Sequence, residues 1–170
     1  MAEDIIRRGA ERLGRRLDWI LLAIVGLLLV CAVLAQPGWS LLAGFWQIQI
    51  SETGLITDPV ATGGLGGALL NAALVLLLSI LLVRWMKLPV TGAAFACLFL
   101  MAGFAMLGKN LLNIAPIVAG GWLHALYKRE SFAKYVYLTL YGTCLSPMVS
   151  FLMVHTRPGL RWLAMALCGL

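Results

Sequence analysis

Residues 89–127 form an almost unbroken apolar stretch of 39 residues, and only Gly108-Lys109-Asn110 can turn the chain within it. A bilayer hydrocarbon core about 30 Å thick takes about 20 helical residues, so the stretch is too long for one crossing and barely long enough for two. The same pattern recurs elsewhere. Hydrophobic residues make up 62% of the 170 and charged residues 12%, more apolar surface than a soluble chain this small can hide. Lipid is the expected solvent, and the expected fold is an all-α polytopic transmembrane helix bundle.

The net charge of +6 comes from thirteen Lys and Arg residues gathered in short clusters between apolar runs. That spacing reads as membrane topology; no basic stripe with interleaved aromatics indicates a nucleic-acid partner. At the N-terminus, Arg7, Arg8, Glu11, Arg12, Arg15 and Arg16 share one helix face, and Ile5, Ile6, Ala10, Leu13 and Leu17 share the other. Residues 1–17 are therefore expected to form a cytoplasmic basic amphipathic helix on the membrane surface.

Residues 18–170 are expected to form the transmembrane domain, with spans at about 19–35, 66–83, 89–107, 111–126 and 135–154 and a partial sixth at 160–170. The first reads as an uncleaved signal anchor; cleavage is the rival, because Val33 and Ala35 are small residues of the kind a signal peptidase prefers. In the second, residues 69–83 contain eleven Leu, Val or Ile residues. At about −0.3 to −0.6 kcal/mol each, insertion is favourable by roughly 5 kcal/mol before polar costs. Trp39, Phe45 and Trp46 predict a short helix at the outer surface, followed by a solvated loop with Thr57 or Asp58 as helix cap. Gly142 and Pro147 interrupt the fifth span. The abrupt stop after residue 170 predicts a fragment or half of a longer protein, or else a re-entrant last segment or one that pairs with another chain.

With the N-terminus inside, ten positive charges are cytoplasmic and three, Lys109, Arg157 and Arg161, are outside. Without a reversal near Lys109 the cluster Lys128, Arg129 and Lys134 would lie outside. The positive-inside rule thus selects a hairpin at Gly108-Lys109-Asn110 and a multi-pass protein with a cytoplasmic N-terminus.

Several motifs match a known family. Gly54-Leu55-Ile56-Thr57-Asp58 is followed by Gly63-Gly64-Leu65-Gly66 and Asn71. Further on come Gly108-Lys109-Asn110, Asn113-Ile114, Pro116-Ile117, Phe132-Ala133-Lys134-Tyr135, Gly142-Thr143 and Ser146-Pro147. Over residues 54–152 the chain resembles a bacterial membrane family catalogued as domain of unknown function fifteen seventy-six. The resemblance implies architecture and greater length, and no substrate. His124 departs from it, standing where similar sequences carry an aromatic such as Tyr.

The leading candidate site is Lys109 with Asn110, Asn113 and Pro116. An ammonium costs about 2.5 to 3.5 kcal/mol at a helix centre, so Lys109 should reach the interface or face a polar cavity. Asn110 and Asn113, three apart, can present amides on one face, and Pro116 frees a carbonyl one turn earlier. These residues and Asn71 are read as lining a solute path; the plainer alternative is a snorkelling turn lysine with asparagines joining helices. Gly63 and Gly67 read first as a close-packing pair, or as a broken helix opening onto a site. Asp58 is an outer-loop candidate for a cation, or simply a cap. His124 and His155 are solitary, and Cys31, Cys97, Cys144 and Cys168 have neither disulfide nor ligand spacing, so no metal or cofactor is expected.

The expected function is a permease-like transporter or channel for a small solute, not an enzyme. The alternative is a structural or assembly subunit, with a membrane-embedded enzyme ranked third. Expected partners are the bilayer, the solute, and either a second copy or a second membrane half.

Overall fold

The computed structural model describes residues 2–51 and 57–155. Among these the chain is helical: α1 (Ala2–Ala35), α2 (Trp39–Ile50), α3 (Pro59–Trp85), α4 (Gly92–Ala105), α5 (Leu111–Lys128), α6 (Val136–Gly142) and α7 (Ser146–His155), with single 3-10 turns before and after α6. Of the expected surface helix 1–17, the described residues 2–17 do not form a separate element. They continue into the apolar segment as one 34-residue helix, because no proline interrupts the backbone ladder before Pro37 and Gly38.

α1 and α3 run antiparallel. Near one end the Ala32 carbonyl lies against Gly66; at the other, Arg84 pairs with Asp18 at 3.3 Å. The remaining elements reverse in turn. Thr91 caps α4, accepting from the Ala94 amide at 3.2 Å, and α4 climbs beside α3 until Asn71 donates to the Ala105 carbonyl at 3.4 Å. α5 descends to Lys128. The following linker is tied by Glu130, which accepts from Lys134 at 2.8 Å and from the Tyr135 hydroxyl; the Lys134 hydrogen bond holds the Glu130 carboxyl below the usual carboxylate range. The Tyr137 hydroxyl then donates to the Pro89 carbonyl at 3.0 Å, placing the start of α6 beside the α3–α4 connection. The basic clusters around Arg16, Arg84 and Lys128 therefore share one end of the bundle, as the hairpin reading expects.

The five full spans and partial sixth read from sequence are corrected. Among the described residues two helices, over Arg12–Ala35 and Pro59–Trp85, are long and apolar enough to cross a membrane. α4 has 14 residues, about 21 Å, because the chain breaks at residues 106–110. α5 has 18 residues but carries Asn113, Pro116, His124 and Lys128. The segment 135–154 is divided into α6 and α7 by the 3-10 turn Thr143–Leu145. Residues 160–170 lie outside the described residues.

The buried core joins Leu21 and Val25 of α1, Leu76 and Ile80 of α3, Leu98 and Met101 of α4, and Val136 and Leu140 of α6. The glycine run of α3 performs close packing. A Cβ on Gly44 would overlap the Gly63 carbonyl oxygen, one on Gly63 would overlap the Gly44 oxygen, and one on Gly67 would lie 2.8 Å from the Gly44 carbonyl carbon. Gly64, at φ +76°, breaks α3, so its straight part covers residues 65–85. The Gln36 side chain accepts from the Gly67 amide at 3.4 Å, supplying an acceptor to the restarted helix. Because the obstacles are backbone atoms, Gly63→Ala is expected to cost about 1–3 kcal/mol. Thermal unfolding in detergent should move down by several degrees; an unchanged midpoint would mean that α2 can slide.

Candidate functional site

Asn71, Lys109, Asn110 and Asn113 converge around the break between α4 and α5, and all four are buried. Gly108 turns the chain at φ +105°, a conformation that side-chain-bearing residues rarely adopt. Asn110 then caps α5. Its side chain accepts from the Asn113 amide at 2.8 Å, while the Asn113 side chain accepts from the Asn110 amide at 2.9 Å, a reciprocal capping box.

Neighbouring elements hold this turn in place. Asn71 of α3 donates to the Lys109 carbonyl at 2.8 Å and accepts from Gln49 of α2 at 3.0 Å. Gln49 in turn accepts from the Leu111 amide at 3.0 Å. Asn110 donates to the Ile48 carbonyl at 3.1 Å; Asn113 donates to the Gly108 carbonyl at 2.9 Å and to the Ser150 hydroxyl at 3.0 Å. Each asparagine carbonyl oxygen has a donor, and both side-chain N–H groups of Asn71 and of Asn113 have acceptors. The amides thus lock α2, α3, α5 and α7 around the turn.

Lys109 differs from them. Its side chain is 0% exposed and is the largest fully buried one among the described residues. The ammonium donates to the Thr143 hydroxyl at 2.9 Å, lies 3.3 Å from the Met101 sulfur, and sits 5.3 Å from the Phe104 ring centroid. Among the described residues no carboxylate pairs with it; the ion pairs found there are Asp18–Arg84 and Glu130–Lys134. A thioether is a weak acceptor, so the charge is held by one hydroxyl, one sulfur and one aromatic face. The lysine neither snorkels outward nor opens onto solvent.

Its depth follows from α3. Asn71 lies six residues, about 9 Å, inside the straight helix that begins at Leu65, so the turn is well below that helix end. Pro116 is half-buried on α5, about a turn beyond Asn113, and cannot donate to the Leu112 carbonyl. Asp58 caps α3, accepting from the Val60 and Ala61 amides at 2.9 and 3.2 Å. His124 is exposed and packs edge-on to Tyr135 at 5.1 Å; the side chain of His155 and residue Cys168 lie outside the described residues. Among the described residues no group of three His, Cys, Asp or Glu could hold a metal.

Gln49, Met101, Phe104, Thr143 and Ser150 meet these residues without having been read as site residues from sequence, where Thr143 entered only within a family motif. One signal was present: Thr143, Ser146 and Ser150 recur at helical spacing, which puts three hydroxyls on one face. Beside the site, an open apolar cleft of about 200 Å³ separates α3 from α5, lined by Leu78, Leu82, Leu111, Ile114 and Val118 with Ser79.

The family model described as "Protein of unknown function (DUF1576)" matches residues 39–169, a wider range than the motif-bearing stretch 54–152. No curated protein and no solved structure matches the chain.

Proposed function

The chain belongs to the DUF1576 family, and we propose that it is an integral membrane protein of permease type, passing a small solute through the break between α4 and α5. The observation that carries this reading is Lys109, a cation at a helix break that is buried with no carboxylate paired to it among the described residues. Such groups are expensive in a membrane interior and mark solute or ion pathways. The enclosing amide lattice supports it by holding irregular backbone where no water can satisfy it.

Membrane embedding is supported by three features. Of the apolar window in α1, 17% is buried against 61% of that in α3, which leaves most of α1 for lipid. Exposed Trp19, Trp85 and Tyr127 lie toward the basic end and exposed Trp39 and Trp46 toward the other, the distribution of interface aromatics. The shared basic end is the proposed cytoplasmic side of a bacterial inner membrane. The shorter helices α4 to α7 would complete the lipid-embedded bundle, and α1 would project its basic N-terminal half into the cytoplasm.

Topology is tested by thiol labelling on a background without reactive native cysteines. Ser40→Cys should react with a membrane-impermeant maleimide added outside, Lys128→Cys only after the cytoplasmic face is opened, and the occluded Lys109→Cys from neither side. Labelling of Lys128→Cys from outside would overturn the orientation. Transport is tested by proteoliposome uptake of a solute panel, with Lys109→Met as the blocked control.

The full engagement of Asn71 and Asn113 favours a second reading, a structural or assembly subunit whose polar groups only join helices. Uptake unchanged in the Lys109→Ala, Asn110→Ala, Asn113→Ala triple variant at normal membrane abundance would favour this reading. Mass spectrometry of intact oligomers would then identify the assembly.

A further inference from the structure

Ser146 adds a second incomplete group to the Lys109 cluster. It is 0% exposed, and its hydroxyl has no hydrogen-bond partner. It lies one helical turn beyond Thr143, the residue that receives the Lys109 ammonium, and one turn before Ser150, which receives Asn113. The Thr143 hydroxyl is already engaged with the Leu140 carbonyl. About one helical turn apart along the Thr143–Ser150 stripe are thus the hydroxyl that receives an ammonium with donor capacity beyond it and a weak thioether, and a buried hydroxyl with an unused proton.

Two donors and a net positive charge define the complement. A cation would be repelled. A neutral solute could accept the hydrogen bonds but would leave a buried charge uncompensated, which in a dry interior is the larger cost. An acceptor bearing one negative charge satisfies both groups and neutralises the seam.

We propose that this seam binds a small monovalent anion, a halide or the carboxylate of a small acid, held between the Lys109 Nζ and the Ser146 hydroxyl with Thr143 alongside. The proposal rests on the permease reading and names its solute class. The site is occluded by Met101 and Phe104, so entry requires these flexible side chains to move.

The test measures binding without flux. The detergent-purified full chain is titrated with sodium chloride, bromide, formate or acetate against bulky gluconate at constant ionic strength, and thermal unfolding is followed. The wild type should show a saturable rise of several degrees with at least one small anion, because a ligand bound only by the folded state raises the midpoint. Whether chloride and bromide or formate and acetate give the lower half-saturation tells inorganic from organic anions. Lys109→Met should give no saturable rise. Ser146→Ala removes no existing hydrogen bond, so it should match the wild type in gluconate and need about tenfold more anion for half-saturation.

A wild-type response no different from gluconate, a saturable response retained in Lys109→Met, or an unchanged half-saturation in Ser146→Ala would each overturn the anion site. Failure here is separable from failure of transport. Anion binding without uptake keeps the site and removes the permease, whereas uptake of a neutral solute without an anion response does the reverse.

Discussion

Lys109→Met is expected to unfold at a higher temperature than the wild type while losing uptake. Met has nearly the length of Lys and packs against Met101 and Phe104 without a charge to desolvate. The lost ammonium leaves little behind, since Thr143 keeps its bond to the Leu140 carbonyl. Removing a buried cation that no carboxylate among the described residues compensates should stabilise the fold by about 1–2 kcal/mol, within the range found when buried ionic groups are replaced by apolar ones. For a chain of this size that is a rise of roughly 2–8 °C. Higher stability with lost uptake separates a functional lysine from a structural one; a marked fall would show that the cation holds the break together. Lys109→Glu should accumulate poorly, because a carboxylate would face a sulfur lone pair and the negative face of Phe104.

Asn71→Leu should have the opposite character. Asn71 holds three groups at once: it accepts from Gln49 and donates to the Ala105 and Lys109 carbonyls. Leu fits the volume but orphans all three inside the bundle. At about 1–3 kcal/mol for each buried unsatisfied group, the loss is of order 3–9 kcal/mol, enough to remove most of the folded protein. Abundance in the membrane and the unfolding midpoint should both collapse. A midpoint within a degree of wild type would mean that the Asn71 lattice is not what fixes the turn. The contrast between the two positions is the physical content of the site: one polar residue is satisfied and structural, the neighbouring one is not.

Much of the outline was legible because it follows from the solvent. Apolar runs of bilayer length, the clustering of Arg and Lys, and the lone break in residues 89–127 are one-dimensional patterns, and they predicted helices, the α4–α5 reversal and the shared basic end. Asp58 as a cap and Gly63 with Gly67 as a close-approach pair were among the readings that local chemistry offered. The span count was not legible. Hydropathy reports how apolar a segment is, whereas the length of a helix depends on where its backbone breaks. Breaks at Gly64, at Gly108 and around Thr143–Leu145 are accompanied by hydrogen bonds in which Gln36 accepts from Gly67, Asn113 donates to Gly108 and Leu140 accepts from Thr143, partners that lie elsewhere in the chain or in the turn itself.

The candidate site divides in the same way. Asn71, Lys109, Asn110 and Asn113 stand out in sequence because polar groups in an apolar run must find partners. Which partners they find is a tertiary matter. Gln49, Thr143 and Ser150 come from segments 22 to 62 residues away from the groups they meet. By itself the sequence determined that this chain is helical, that lipid is its expected solvent, and that it carries a lysine it must either expose or compensate. Only the folded arrangement decided that the lysine turns inward. The asparagines close the α4–α5 turn upon themselves and the backbone, and that leaves the ammonium on the inner side, beside Thr143 and the unpaired Ser146 hydroxyl.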